Sequence, residues 1–277
     1  MEMTESPLYI NHNQYLDLLK LALTAACYDE SAWVLVRSDR RTVSGWFGRQ
    51  FVRFLAKKNL GLVRKRKFDW EVRRNGQDWP LFAYTMVGLK RLENVQFCIE
   101  NVIRDGVPGE LVEAGCWRGG VGIFMKAVLR AHEEREWRVF LADTFEGMPQ
   151  PKSSDDGADI SNLSYLEASL EDVKRNFERF ALLDDDVCFL KGLFENTLPE
   201  APIERIAVLR ADGDLYHSTM DVLTNLYPKV QKGGYVIIDD YFSWKPCRQA
   251  VTDYLEKQDL QPEIMRIDND AAYWRVH

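Results

Sequence analysis

Three aspartates follow two short apolar runs, and their spacing is typical of a cation site. Asp212 follows the run 205–210, and Asp239 with Asp240 follows 234–238. If the two runs are neighbouring parallel strands, their carboxyl ends share one edge of the sheet, so the carboxylates converge on the ligand crevice. Close carboxylates repel one another unless a cation holds them, and oxygen ligands favour Mg²⁺, Ca²⁺ or Mn²⁺. Alternatively, Asp212 and Asp239 cap the following helices and Asp240 is solvated.

A glycine-rich turn is predicted where the run 110–114 ends and a helix opens. Gly115, Gly119 and Gly120 would let the backbone approach a ligand closely. The N-terminus of the following helix favours the negative end of a bound molecule. The spacing is not GxGxxG, and helix packing alone could also explain the glycines.

Asp143 ends the next predicted strand, 30 residues after Glu113. In nucleotide-binding α/β folds, an acid at this position accepts hydrogen bonds from the ribose hydroxyls. A helix cap is the alternative, but the neighbouring glycine-rich turn favours ribose binding. In the string Lys191-Gly192-Leu-Phe194, Phe194 follows the third strand, where an adenine ring sits in such folds.

His217 follows the Asp212-Gly-Asp214 string closely enough to act in the same site. An imidazole titrates near neutral pH, so His217 is a candidate general base. The alternative is a histidine that only forms hydrogen bonds or lies at the surface.

Short β-branched runs alternate with helix-length amphipathic segments between residues 110 and 277, which predicts an α/β fold. The last two runs are separated by three residues, so they must form an antiparallel hairpin at an edge of the sheet. Five parallel strands followed by a hairpin indicate a Rossmann-like seven-stranded methyltransferase sheet and disfavour a nicotinamide dehydrogenase. The predicted strands are 110–114, 137–142, 187–190, 205–210, 234–238, 263–267 and 271–276.

The preceding residues are predicted to form an N-terminal helical extension. Residues 13–28 have the spacing of an amphipathic helix, and a second helix follows Pro80 and stops at Gly106. Residues 30–78 lack a clean apolar period, which predicts helices and mobile loops. We therefore divide the chain into a helical lid, 1–79, and a catalytic domain, 80–277.

The composition argues against several classes of protein. The net charge is −7, although residues 37–74 hold 13 Lys or Arg against three acids. An acidic body would repel nucleic acid, so this basic stretch is expected to be solvated. No leader or membrane span is apparent, which predicts a cytoplasmic protein with no membrane partner. Five separated cysteines indicate neither a disulfide framework nor a zinc cluster.

Several linked strings resemble the macrocin O-methyltransferase (TylF/MycF-like) family over roughly residues 13–275. They are DGVPGELVEAGCWRGG, ADTFEGMP, LRADGDLYHSTMDVLTNLYPKVQKGGYVIIDDY and YTMVGLKRLENVQFCIE. The resemblance implies S-adenosylmethionine and Mg²⁺ as cofactors and a sugar hydroxyl of a glycosylated natural product as acceptor. This chain departs from the family at Ala211 and at His217, where Leu and Glu are usual.

The expected site residues fall into three groups. Asp212, Asp239 and Asp240 would hold the metal. Asp212 would also be the base, with His217 as a second catalytic candidate. The expected cofactor-binding residues are Glu113, Gly115, Arg118, Gly119, Gly120, Asp143, Thr144, Phe145, Gly192 and Phe194.

An alcohol is a poor nucleophile until a metal and a base favour its alkoxide, so two hydroxyls chelating one ion make diols and sugars natural acceptors. The alternatives are a catechol or phenol O-methyltransferase and a non-catalytic adenosyl-binding protein. We expect a small-molecule acceptor, such as a glycoside, sugar or other diol, and a homodimer.

Overall fold

The computed structural model describes residues 12–28, 32–35, 48, 50–51, 54–55, 58, 63–78, 80–161 and 163–277. Helices include α1 (His12–Leu23), α2 (Trp70–Arg74), α3 (Leu89–Arg104), α4 (Gly120–Ala131), α5 (Leu170–Arg179), α6 (Phe194–Thr197), α7 (Tyr216–Leu226) and α8 (Lys245–Lys257). Strands include β1 (Ala32–Leu35), β2 (Val63–Arg66), β3 (Glu110–Ala114), β4 (Val139–Asp143), β5 (Val187–Lys191), β6 (Ile206–Ala211), β7 (Val230–Ile238), β8 (Met265–Arg266) and β9 (Ala272–Arg275).

A seven-stranded sheet carries the site, with strand order β5-β4-β3-β6-β7-β9-β8. Strands β3 to β7 pair in parallel, and β9 pairs antiparallel with both β7 and β8. This confirms the predicted sheet of five parallel strands and an antiparallel hairpin. Because the strand order reverses between β3 and β6, the crevice at their carboxyl ends is where a ligand is expected.

Helices cover both faces of the sheet because its central strands are apolar along their length. All six residues of β6 are buried, as is typical of a parallel strand covered on both faces. One apolar cluster joins α1, α3, α4 and α5 to one face, and another joins α7 and α8 to the other. Leu111 and Val112 belong to different clusters because successive strand residues point to opposite faces.

α3 confirms the helix predicted after Pro80, although it begins later than the apolar pattern suggests. Gly88 is its N-cap, and a Cβ there would overlap the carbonyl oxygen of Arg74. The backbone of residues 84–88 must therefore pass close to α2 before the helix can start. At the other end, Gly106 has φ +64° and stops the helix as predicted.

The expectation of helices and loops over 30–78 is wrong for two segments, which form the strands β1 and β2. β1 and β2 pair antiparallel, with Ala32 opposite Arg66 and Leu35 opposite Val63. The run Ala-Trp-Val-Leu in β1 is rich in residues that favour strands, which the absence of a longer apolar period obscured. Much of the basic 37–74 stretch lies outside the described residues.

The predicted helix over 13–28 is confirmed by α1, which ends at Leu23 and packs into the main core. Leu16, Leu19 and Leu23 belong to the same apolar cluster as α4. The backbone N–H of Tyr84 donates to the carbonyl of Leu23 at 2.8 Å. The division at residue 79 stays a prediction. In the described part of the chain, no helix combines the length and the apolar composition that crossing a bilayer requires.

Candidate active site

The carboxyl ends of β3, β6 and β7 open into a cavity of about 450 Å³. Part of its wall carries the carboxylates that follow β6 and β7, together with two arginines. Another part is apolar and comes from the segment between β4 and α5, including Ile160, Leu163 and Leu166. The cavity thus combines convergent polar groups with an apolar surface, as small-molecule sites do.

The turn from β3 into α4 brings the backbone close to the strand-end carboxylates. Gly115 has φ +87°, and a Cβ there would overlap the carbonyl oxygen of Asp212. A Cβ on Gly120 would lie 2.5 Å from the carbonyl oxygen of Tyr84. These glycines therefore permit close contacts between protein segments, and Gly115 also lines the cavity.

Asp143, at the end of β4, fixes the same turn. Its Oδ2 accepts hydrogen bonds from the backbone N–H groups of Cys116 at 2.8 Å and Trp117 at 3.2 Å. Its Oδ1 accepts one from the N–H of Phe145 at 2.9 Å. These N–H groups fill about three of the four acceptor sites of a carboxylate, and Thr144 Oγ1 lies 3.3 Å from Oδ1. Asp143 therefore has a structural role, and its binding of ribose stays a prediction.

A smaller cavity of about 50 Å³ adjoins the first and shares Gly115 and Asp212 with it. Asp143, Thr144 and Phe194 line this second cavity. With Gly115, four residues predicted to bind the cofactor therefore lie together, next to the first of the predicted metal ligands.

Asp212, Asp214 and Asp240 form the acidic group of the larger cavity, with one oxygen of each within 4.8 Å of the others. Burial, with neighbouring carboxylates adding to it, raises the pKa of both Asp212 and Asp240 above the ordinary value. Burial and then Asp212 raise the pKa of Asp214 to about 7. Without a cation, these carboxyl groups therefore retain protons that ordinary surface aspartates lose.

Asp239 lies beside this group, but two guanidinium groups hold it. Arg210 Nη2 lies 2.6 Å from Asp239 Oδ1, and Arg91 Nη1 donates to Asp239 Oδ2. Burial alone would raise the pKa of Asp239, but the two arginines outweigh burial and lower it. Asp239 is therefore ionised, and Asp214 rather than Asp239 completes the closest carboxylate group. Metal binding by Asp239 stays a prediction.

Arg91 connects α3 to the hairpin loop between β8 and β9. Its side chain is 8% exposed and pairs with Asp268 through Nε and with Asp270 through Nη2, both at 2.8 Å. Asp268 Oδ1 also accepts the backbone N–H of Ala271 at 2.9 Å, which shapes the loop. Because Arg91 also holds Asp239, one side chain fixes the hairpin relative to the acidic group.

Arg210 makes the corresponding connection across the centre of the sheet. Its side chain is 2% exposed and lies 2.8 Å from Glu113 of β3 and 2.9 Å from Asp212. Burial raises the pKa of Glu113 to about 7 even though Arg210 opposes the shift. Glu113 lines the larger cavity, and Arg210 links it to the carboxylates of β6 and β7. Cofactor binding by Glu113 stays a prediction.

His217 lies outside the larger cavity, among the residues that line another cavity of about 250 Å³. Its Nδ1 is 3.0 Å from Oδ1 of Asp156, which is fully buried. The structure therefore does not bring His217 to Asp212, and it favours the hydrogen-bonding alternative over a general base.

Four other residues that were predicted to bind the cofactor make contacts within the protein instead. Arg118 Nη1 donates to the carbonyl oxygens of Leu81 at 2.9 Å and Ala83 at 2.8 Å, because the guanidinium folds over the ring of Trp117. Phe145 is buried in the core, and the N–H of Gly192 donates to the carbonyl of Asp143 at 2.9 Å. Gly119 packs against α5, where a Cβ would lie 2.7 Å from Val173 Cγ1. These residues support the site and do not line the two cavities described above.

The sequence model of the macrocin-O-methyltransferase (TylF) family matches residues 12–276. The chain belongs to this family. The match spans the extension and the seven-stranded sheet, and it confirms the resemblance that the motifs indicated.

Individual proteins of known name are also similar to this chain. The chain is 46% identical over 268 residues to the mycinamicin III 3''-O-methyltransferase of Micromonospora griseorubida, covering 94% of this chain and 95% of that protein. It is 51% identical over 212 residues to the 8-demethyl-8-(2,3-dimethoxy-alpha-L-rhamnosyl)-tetracenomycin-C 4'-O-methyltransferase of Streptomyces olivaceus, covering 75% and 81%. The solved structure of the O-methyltransferase NovP matches with a TM-score of 0.81 and 43% identity, covering 96% of this chain and 99% of that chain.

Sequence reasoning missed three charged residues of the site in this family member. Arg91 is four residues before Val95 on the apolar face of α3, and a charge in that position signals a buried partner. Arg210 is the one charged residue of β6, a strand that is otherwise apolar, which is a similar signal. Asp214 gave no such signal, because an acid in a loop after a strand is most often a helix cap or a solvated side chain.

Proposed function

We propose that this protein transfers the methyl group of S-adenosylmethionine to a sugar hydroxyl of a glycosylated natural product, with the help of Mg²⁺. The observation that carries the proposal is that the two cavities meet at Gly115 and Asp212, beside the acidic group. A nucleoside cofactor that extends from the smaller cavity past Gly115 into the larger one would direct its reactive end toward those carboxylates.

The relatives support a glycoside as the acceptor. One is named for mycinamicin III and another for a rhamnosyl derivative of tetracenomycin C, and both are O-methyltransferases. The larger cavity suits such a molecule, because Ile160, Leu163 and Trp244 could contact an apolar aglycone while the carboxylates face the sugar.

The residues of the acidic group fit a divalent cation. Asp212, Asp214 and Asp240 place three oxygens within 4.8 Å, and hard oxygen ligands are those that Mg²⁺ uses. Burial, and then the neighbouring carboxylates, raise the pKa of all three groups, and bound Mg²⁺ would favour their ionised forms. Asp212 and Asp240 would be ligands, and the third would be Asp239 or Asp214.

The chemistry then divides among the residues of the chain. Bound Mg²⁺ would supply a Lewis acid that favours the alkoxide of the acceptor. Asp212 is placed to accept the proton of the acceptor hydroxyl, since it lies where the two cavities meet. Arg210 would hold Asp239 and Glu113 in position through its ion pairs with them. The apolar wall would exclude water from the methyl transfer.

A mass-based methylation assay tests the proposal. The acceptors are mycinamicin III, the rhamnosyl tetracenomycin and a simple catechol, each with S-adenosylmethionine and with or without EDTA. We expect methylation of a glycoside that EDTA abolishes and Mg²⁺ restores. Methylation of the catechol alone would instead identify a catechol O-methyltransferase, and full activity in EDTA would exclude the metal.

Asp143→Ala is expected to weaken the binding of S-adenosylhomocysteine by about 10- to 100-fold, since a hydrogen bond to a charged group contributes about 1.5–3 kcal/mol. Isothermal titration calorimetry measures the affinity directly. Asp172→Ala is a matched control, because Asp172 is an exposed acid that accepts bonds from Ser169 and Arg175 of its own helix turn. Equal affinity of Asp143→Ala and the parent protein would show that Asp143 does not contact ribose.

The affinity for Mn²⁺, a spectroscopic substitute for Mg²⁺, is expected to rise between pH 6 and 8. The carboxyl groups of Asp212, Asp214 and Asp240 have raised pKa values, that of Asp214 being about 7. At lower pH their protons compete with the cation, and at higher pH the ionised site binds it more tightly. Electron paramagnetic resonance titrations at fixed pH values check the direction, and an affinity that is constant or falls with pH would contradict it.

A further inference from the structure

The cavity wall between β4 and α5 is held by contacts at several points along its length. We define this wall as residues 149–161 and 163–166 and call it the acceptor wall, because Ile160, Leu163 and Leu166 in it line the larger cavity. Near its end, Trp117 Nε1 donates to the carbonyl oxygen of Tyr165 at 2.9 Å. In its middle, Gly157 has φ +84°, and a Cβ there would lie 2.8 Å from Pro246 Cγ.

A further contact of the acceptor wall is made by one buried carboxylate. Asp156 is 0% exposed, and its Oδ2 accepts the backbone N–H of Lys152 at 2.7 Å. Its Oδ1 accepts the backbone N–H of His217 at 2.8 Å and lies 3.0 Å from His217 Nδ1. Because an ionised carboxylate only accepts hydrogen bonds, the imidazole must donate through Nδ1.

Asp156 lies beside the N-terminus of α7, and this position explains why its carboxylate stays ionised although it is buried. Leu215, the N-cap of α7, has no side-chain oxygen to cap the helix, and Asp156 from the acceptor wall supplies one. Burial disfavours the charge, but the hydrogen bonds from His217 and Lys152 outweigh burial and lower the pKa of Asp156. The carboxylate thus joins the wall to the helix that follows the acidic loop 212–214.

We propose that His217 is a positioning residue for the acceptor: through Asp156 it holds the acceptor wall against α7, and so it sets how tightly the apolar wall closes on the acceptor. The proposal rests on the proposed function only for the identity of the acceptor. His217 has no direct role in the reaction, because it lines the separate 250 Å³ cavity and its Nδ1 is occupied by Asp156.

The test compares four substitutions with a matched control. His217→Ala removes the Nδ1 donor, and His217→Glu places a second carboxylate against Asp156. His217→Asn keeps an N–H donor at the position of Nδ1 but has no basic nitrogen. Asp156→Ala removes the other partner. The control is His132→Ala, since His132 also pairs with an acid, Glu100 at 3.2 Å, on the surface formed by α3 and α4.

The first measurement is the rate of tryptic cleavage after Lys152, followed by mass spectrometry of the intact, folded protein. Lys152 is partly exposed, but its backbone is held by Asp156. We expect cleavage after Lys152 to be about tenfold faster in His217→Ala, His217→Glu and Asp156→Ala, because local opening governs proteolysis. His217→Asn and the control should resemble the parent protein. No acceptor is needed, so this result stands even if no glycoside is methylated.

The second measurement is the kinetics with whichever glycoside is methylated. His217→Ala should raise the KM for the acceptor about tenfold, leave kcat within about threefold, and leave the affinity for S-adenosylhomocysteine unchanged, since loss of uniform binding acts on KM. His217→Asn, which keeps the N–H donor, should have the same KM for the acceptor as the parent protein. Unchanged cleavage and KM in His217→Ala would overturn the proposal, as would a loss of kcat in both His217→Ala and His217→Asn, which would make His217 the base.

Discussion

Asp212→Asn is expected to lower kcat for methyl transfer by about 10²- to 10⁴-fold, the usual effect of removing a general base. Asparagine has the shape of aspartate and can still accept the hydrogen bond from Arg210 Nη2, so the fold should be preserved. The affinity for S-adenosylhomocysteine should change little, because the predicted cofactor contacts lie at the ends of β3, β4 and β5 and in the turns that follow them, and not on β6. Single-turnover kinetics at saturating cofactor measure the chemical step directly.

The same assay, combined with Mn²⁺ titration, identifies the third metal ligand. Asp239→Asn is expected to abolish turnover if Asp239 binds the cation as well as its two arginines, whereas Asp214→Asn then weakens Mn²⁺ binding only slightly. If Asp214 is the ligand, the two variants exchange these effects. An Asp212→Asn protein with parental kcat would remove Asp212 from the mechanism altogether.

Arg210→Met is expected to lower the free energy of unfolding by about 3–5 kcal/mol, the range for breaking a buried ion pair by removing one partner. Arg210 is 2% exposed and pairs with Glu113, Asp212 and Asp239, so its loss removes the guanidinium partner of Glu113 and of Asp212 and leaves Asp239 with Arg91 alone. Urea unfolding in EDTA at pH 7.5 measures the change without interference from metal binding.

Arg138→Met is the matched control, because Arg138 pairs with Glu110 at 2.8 Å on the same sheet but is 41% exposed. An exposed pair contributes about 0–1 kcal/mol, so this variant should unfold nearly as the parent protein does. Adding Glu113→Gln to Arg210→Met should recover part of the lost stability, since it removes one of the unpaired charges. Equal losses in Arg138→Met and Arg210→Met would contradict the assignment.

The sheet could be predicted closely because each of its strands is a short β-branched run that can be recognised from the local sequence. The three residues between the last two runs required a hairpin, and β8 and β9 form one. The strand-end positions of Asp143, Asp212 and Asp240 then followed from topology, because parallel strands present their carboxyl ends at one edge.

The side-chain pairing within the site could not be predicted in the same way. Whether Asp239 faces a cation or an arginine depends on Arg91, which is on a helix far from it in the chain. No local sequence pattern shows that these two residues are in contact. Arg118 and Phe145 stand within cofactor-like strings, yet tertiary contacts turn one toward Leu81 and the other into the core. Over residues 30–78, four-residue strands were too short to give a period.

Arg91 also has a consequence for how the protein is made. Its partners Asp268 and Asp270 are 177 and 179 residues further along the chain, and Asp239 is 148 residues further along. During synthesis, α3 leaves the ribosome long before any of these carboxylates, and burying its guanidinium alone would be strongly unfavourable. Docking of this end of α3 must therefore wait for the hairpin, so a nascent chain that still lacks residues 265–275 cannot assemble a working site, even though its five parallel strands are already present.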